Sequence, residues 1–191
     1  MRDMVLADLF FLLYFVMGLT FLNNPFHVAR VYEVQKNEES RSRLFGYLYL
    51  WAREHGKSTI ITKGLTIWEI LRDPEDTKAI IAYNRALAKS FLRGIKTEFE
   101  MNPLLKALFP DVLYANPEKE AIKWSEDDGL IVKRKGIVPE CTLSAWGLVE
   151  GMPTGHHYGT LIFDDLVTKD TVSTPEQIEK TKEAFRSAAV S

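Results

Sequence analysis

Residues 44–59 constrain this chain more than any others, because the apolar pattern changes period within a few positions. The run Leu-Phe-Gly-Tyr-Leu-Tyr-Leu at 44–50 gives way to Trp51-Ala52-Arg53-Glu54-His55-Gly56-Lys57-Ser58-Thr59, and a helical pattern follows over 59–71. The expected local structure is a strand, a tight loop and a helix. Such a turn aims backbone N–H groups and the positive end of the helix dipole at one point, which makes an anion site. The Gly-Lys-Ser ending is that of a phosphate-binding loop. Lys57 would reach the β- and γ-phosphates, Ser58 would hold Mg²⁺, and Gly56 lets the backbone approach without a Cβ in the way. The usual first glycine is absent, since position 51 is Trp. An ordinary strand-to-helix turn is therefore the competing reading.

A second motif changes the balance. Residues 160–165 read Thr-Leu-Ile-Phe-Asp-Asp, an apolar run ending in two carboxylates. Buried parallel strands have this composition, and ligands bind beyond their carboxyl ends. Asp164 would then face the Mg²⁺ held by Ser58, and Asp165 would orient or deprotonate the attacking water. Phosphoryl transfer needs that division between charge neutralisation and a positioned nucleophile. A capping pair after a strand is the plainer alternative, but the two motifs together favour an ATPase.

The chain of 191 residues is expected to form one domain, with a helical lead over 1–43 and a nucleotide-binding core over 44–191. One cysteine, Cys141, excludes an intramolecular disulfide and reads as a buried small apolar residue. A net charge of −2 gives no global attraction to nucleic acid, so any DNA contact must be local. Residues 9–22 carry no charge, but fourteen positions fall short of the roughly 20 that span a bilayer. They read as a buried helix against the core, with no membrane partner.

Asn24-Pro25 ends that helix and starts another over 26–36. Strands are expected at 44–50, 79–83, 121–125, 130–133, 142–146 and 160–165, with Asp128-Gly129 as a hairpin signal. A helix over 85–101 has an apolar face of Ala88, Phe91, Leu92, Ile95 and Phe99. Arg85, Lys89, Arg93 and Lys96 line another side, either to track a DNA backbone or as a solvated charged face. The run Lys133-Arg134-Lys135 reads as a solvated tip. The glycine-rich stretch 147–159 leads into the Asp164-Asp165 strand, where loops tend to sense ligand. Thr174-Pro175-Glu176-Gln177 starts a last helix, with Thr174 as cap. Strands alternating with helices predict an α/β fold with a mostly parallel sheet.

These residues resemble the large terminase subunits of tailed phages, the ATPases that drive DNA into empty capsids. The resemblance rests on the loop 52–59 with its internal arginine and continues through 91–102, Leu108-Phe109-Pro110-Asp111, Lys123-Trp124-Ser125 and 145–155. It ends at Leu161-Ile162-Phe163-Asp164-Asp165 and so covers most of 44–187; Asp8-Leu9-Phe10-Phe11 is a less specific likeness. It implies a P-loop NTPase of the ASCE, RecA-like class with an added strand, here Thr142 to Trp146. It implies an ATP- and Mg²⁺-dependent ATPase, double-stranded DNA as moving substrate, a portal protein and small terminase subunit as partners, and a homo-oligomeric ring. It also implies location in the host cytoplasm and, during packaging, at the procapsid portal. Arg53 corresponds to the loop arginine that stabilises transition-state charge; pairing with a nearby carboxylate is its alternative.

Two departures stand out. The family often has Asp-Glu where this chain has Asp164-Asp165, so the reach of the second carboxylate is about one methylene shorter. The coupling strand and metal-dependent nuclease domain of the family do not appear in these residues, and no nuclease activity is expected from them. The other readings are a helicase-like ATPase and a truncated nucleotide-binding assembly module with little turnover. A metal site of His55, His156, His157, Asp164 and Asp165 is disfavoured, because adjacent histidines on an extended segment point apart. For the adenine base, Arg30, Tyr32 and Gln35 are candidates that the sequence does not separate from plain helix-surface packing.

Overall fold

The computed structural model describes residues 1–40, 46–151 and 155–190, without the side chains of Asp170 and Val190. The architecture is α/β, a five-stranded mixed sheet flanked by helices. Its axis is β1 (Lys78–Ala82), buried along its whole length. β1 pairs in parallel with β4 (Leu143–Gly147) on one side and β5 (Thr160–Phe163) on the other. Beyond β4 lie β3 (Gly129–Leu130) and β2 (Trp124–Ser125), both antiparallel to their neighbours, so the order is β2-β3-β4-β1-β5. The Asp128-Gly129 hairpin makes the sheet mixed where a mostly parallel one was expected, with Gly129 at φ +100° in the turn. The strand expected at 142–146 forms as β4, on the side of β1 away from β5.

Register aligns the strand ends in this sheet. Ile81 pairs with both Trp146 and Phe163, so the carboxyl ends of the three parallel strands finish at one level. The Asp164 N–H donates to the Ile81 carbonyl at 3.0 Å, and the Tyr83 N–H to the Asp165 carbonyl at 3.3 Å.

The expected strand at 44–50 is corrected. Residues 44 and 45 lie outside the described residues, and 46–50 join no ladder. The side chains still alternate. Tyr49 and Trp51 pack on the core, whereas Leu48 and Leu50 are 82% and 84% exposed. This segment is held by its rings rather than by backbone pairing. Tyr49 sits 6.1 Å from Trp51, centroid to centroid, and accepts a hydrogen bond from Asn37.

The helical lead is broken where its polar residues fall. α1 (Arg2–Ala7) stops at Asp8, whose carboxylate caps α2 (Leu9–Phe11) by accepting from the Phe11 N–H. The chain continues as a wider, π-pitched turn over Leu12–Val16. α3 (Pro25–Glu39) starts on the Asn24 cap with Pro25 in its first turn. Gln35 ties the two together, accepting from the Leu9 N–H and donating to the Ala7 carbonyl. The Tyr32 hydroxyl donates to Asp8 and its ring stacks on Phe10. Tyr32 and Gln35 are thus spent on packing.

The helix after the loop is π-pitched over Thr59–Leu65 and becomes α4 (Thr66–Arg72). The lead lies directly on it. The Trp68 indole donates to the Val5 carbonyl at 2.7 Å, and a Cβ at Gly64 would collide with Leu13. One hydrophobic cluster therefore includes Val5, Leu9, Leu12 and Leu13 of the lead with Ile60, Ile67, Ile80, Leu92 and Leu143.

α5 (Arg85–Met101) has the predicted bounds, because its signals are local: the Asn84 side chain accepts from the Leu87 N–H, and Pro103 forbids continuation. Asn102 caps the next helix, α6 (Pro103–Leu108), through the N–H groups of Leu104 and Leu105, and also donates to the Val16 carbonyl. α7 (Pro117–Glu120) is a single turn before β2. α8 (Pro175–Val190) packs beside the end of β5, with Phe185 4.9 Å from Phe163. Among the described residues, no helix is long and apolar enough to cross a membrane.

Candidate phosphate-binding site

The loop 52–59 and the end of β5 meet. Lys57 Nζ lies 3.0 Å from Asp164 Oδ1, although the two residues belong to segments far apart in sequence. The Thr62 hydroxyl, 102 residues before Asp164, donates to Oδ2 at 2.6 Å. The Ser58 hydroxyl lies close enough to the same carboxylate to help lower its pKa. Asp164 is 3% exposed, and burial pushes its pKa upward. The polar groups of Ser58, Thr62 and Lys57, with the Lys57 charge, outweigh that and hold the carboxyl below the ordinary aspartate value. Oδ1 takes the Lys57 charge at close range but receives no well-directed hydrogen bond, so its lone pairs remain available.

The backbone prepares the loop for an anion. Glu54 and Gly56 both have left-handed φ, +65° and +71°, which bends the loop tightly ahead of the helix. Gly56 serves twice, because a Cβ there would also stand 3.0 Å from the Phe21 ring. The helix follows at once: the Ile60 N–H bonds the Gly56 carbonyl at 2.8 Å. Ala52, Arg53, Glu54 and His55 are exposed, whereas Gly56, Lys57, Ser58 and Thr59 are half-buried.

Asp165 differs from its neighbour. It is exposed, with φ +49°, an unusual conformation for a residue with a side chain and one concentrated at functional positions. Lys57, Ser58 and Asp164 are thus in mutual contact, while Arg53 and Asp165 stand at the exposed rim.

Thr62 was not singled out from the sequence. The signal was present, since Ser58 and Thr62 are four apart and share a helix face. The aromatic residues around the loop were missed too. Phe21 packs under Gly56, the Phe26 ring is 5.1 Å from His55, and the His27 ring bonds the His55 carbonyl at 3.2 Å.

The histidines do not converge. His55 belongs to that aromatic group, whereas His156 stacks on Tyr158, 5.9 Å away, near Trp146 and Glu140. Among the described residues, no group of three His, Cys, Asp or Glu is placed to hold a metal.

The basic stripe of α5 is matched within the chain. Arg93 pairs with Glu126 at 2.7 Å, Lys89 with Asp127 at 2.7 Å and Lys96 with Glu100 at 2.6 Å, while Arg85 donates to the Asp127 carbonyl. A cavity of about 250 Å³ lies elsewhere, between Trp146, the 147–151 turn and Ala184, Ser187 and Ala188 of α8. Its lining contains a carboxylate, Glu150, and no cation, so it does not suit a phosphate.

Comparison with protein-family models, with curated proteins and with solved structures gives no match.

Proposed function

We propose that the chain binds ATP with Mg²⁺ at residues 52–59 and hydrolyses it, as a motor domain of the kind that packages double-stranded DNA in tailed phages. The observation that supports this reading is the meeting of Lys57, Ser58 and Asp164 around one buried carboxylate. A strand-to-helix turn without function has no need for a lysine and two hydroxyls to converge on a distant acid.

The donors fit Mg²⁺. The Ser58 hydroxyl and Asp164 Oδ1 are hard oxygen ligands, and Oδ1 lacks a directed hydrogen bond. When bound, the ion neutralises charge on the phosphate oxygens. The remaining work falls to this chain's own residues. Lys57 exchanges Asp164 for the β- and γ-phosphates. The N–H groups of the loop and helix start hold the same oxygens. Arg53, on the exposed rim, reaches outward to developing charge on the γ-phosphate. Asp165 orients the attacking water or takes its proton.

The partners in this reading are double-stranded DNA, a portal protein, a small terminase subunit and further copies of the chain in a ring. DNA contact through the α5 stripe is not part of it, because those cations already have carboxylate partners. The working location is the host cytoplasm and the procapsid portal.

A second reading is a nucleotide-binding assembly module with little turnover. It is favoured by the exposed position and short reach of Asp165. A helicase-like ATPase would use the same loop residues. The deciding experiment measures ATP binding and turnover, with and without DNA, for wild type, Lys57→Ala and Asp165→Asn. Turnover abolished by both substitutions supports the motor. Binding without turnover in wild type selects the assembly module, and no ATP binding by wild type removes both.

A further inference from the structure

The geometry points to Phe26 as the surface on which the nucleobase stacks, a subsite that rests on the triphosphate reading above. Phe26 opens α3 and stands beside the phosphate loop, with its ring centroid 5.1 Å from His55, 5.3 Å from His27 and 6.5 Å from Trp51. All three neighbours meet it steeply, at interplanar angles of 71° to 76°, and among the described residues none stacks parallel on it. The ring is 44% exposed although it sits amid aromatic residues. An exposed phenylalanine against the mouth of an anion site is a costly surface to leave in water, and a flat heterocycle covers it well.

The ring is also held in fixed relation to the phosphates. The His27 ring bonds the His55 carbonyl, one residue before Gly56, and the Asn24 side chain both caps α3 at the His27 N–H and contacts the His27 ring. Phe21 meets His27 edge to face and packs against Gly56. The lead therefore cannot shift without moving the loop. A base on Phe26 and phosphates on the loop are read by one rigid unit.

Arg30 completes the subsite. Its guanidinium carbon lies over one face of the Phe26 ring, 5.9 Å from the centroid, it pairs with Glu33, and its Nε is buried without a partner, so a base would stack on the opposite face. A guanidinium beside the stacked base can donate to a base nitrogen or a ribose oxygen. Of the three candidates for base contact, Arg30 alone keeps a donor free; Tyr32 and Gln35 are occupied in holding the lead.

The test is calorimetric titration with Mg²⁺–ATP and, separately, with Mg²⁺–tripolyphosphate, which has the phosphates and no base. The proteins are wild type, Phe26→Ala, Phe26→Trp and Lys57→Ala, each checked by circular dichroism. The expected result is that Phe26→Ala weakens ATP about tenfold and leaves tripolyphosphate unchanged. Phe26→Trp keeps ATP affinity, and Lys57→Ala weakens both ligands. Equal ATP affinity in wild type and Phe26→Ala overturns the base subsite and leaves the phosphate site standing. Equal loss of ATP and tripolyphosphate in Phe26→Ala also overturns it, since the ring would then act only by shaping the loop. If wild type binds neither ligand, the triphosphate reading fails and takes the subsite with it.

Discussion

Lys57 Nζ lies 3.0 Å from Asp164 Oδ1, so the cation of the 52–59 loop and the acid at the end of β5 neutralise each other. The Lys57 charge helps keep this buried carboxylate ionised. Lys57 is one-third exposed and Asp164 almost wholly buried, so the lysine is the partner that can swing out.

That asymmetry fixes a pH dependence. The Asp164 pKa in the folded chain lies below its ordinary value. The stability it contributes is therefore fully present above the unfolded aspartate pKa and is lost as pH falls through the folded one. Across neutral and mildly acidic pH, the Asp164 carboxyl should show no titration by carbon NMR. In Lys57→Ala, burial acts with less opposition, so the carboxyl should titrate at higher pH and the protein should lose roughly 1–2 kcal/mol at neutral pH. The cost is less than for a fully buried pair because the lysine is part-solvated. An unmoved carboxyl pKa would show that the two groups are not paired in solution.

Thr62→Val removes the 2.6 Å bond to Asp164 Oδ2 and keeps the side chain's shape. The carboxylate oxygen stays buried, so denaturant unfolding should register a loss of about 1–3 kcal/mol. Thr62→Ser should recover most of it. If Val and Ser behave alike, the hydroxyl makes no contribution there.

Gly64→Ala places a methyl group against Leu13. Helix propensity alone would raise stability by about 1 kcal/mol, so a net loss of about 1–3 kcal/mol reports the steric clash. Combining it with Leu13→Ala should be strongly non-additive, since the second change vacates the space. Simple additivity in a double-mutant cycle would mean that the lead does not rest on this helix.

The ion pairs between α5 and the β2–β3 turn are solvent-exposed, so they should matter little to folding. Lys89→Ala and Arg93→Ala should each change stability by less than about 1 kcal/mol. They should also leave any DNA affinity unchanged, because the cations face Glu126 and Asp127. A clear drop in filter-binding affinity for duplex DNA would restore the stripe as a contact surface.

The sequence made the three parallel strands legible because each is a short, largely apolar run, although β5 proves only half-buried, and it made α5 legible because both its ends carry local stop signals. The meeting of Lys57 with Asp164 was legible too, since each motif names a partner of the other. Residues 46–50 were not. Their composition matches a core strand, but strand formation depends on a neighbour to bond, and the pattern within one segment carries no record of that neighbour. The π pitch over Thr59–Leu65 was equally hidden, because the same apolar residues suit either winding. Phe26 escaped notice because a phenylalanine near a helix start reads as packing until its exposure and its distance to His55 are known.

The bond from the Trp68 indole to the Val5 carbonyl has a practical side. A shortened version beginning at the phosphate loop would strip an indole of its acceptor and open a greasy trench along the 59–72 helix. Such a product should precipitate rather than give a minimal enzyme. Anyone trimming this chain for crystallisation or fluorescence work should leave its opening residues in place.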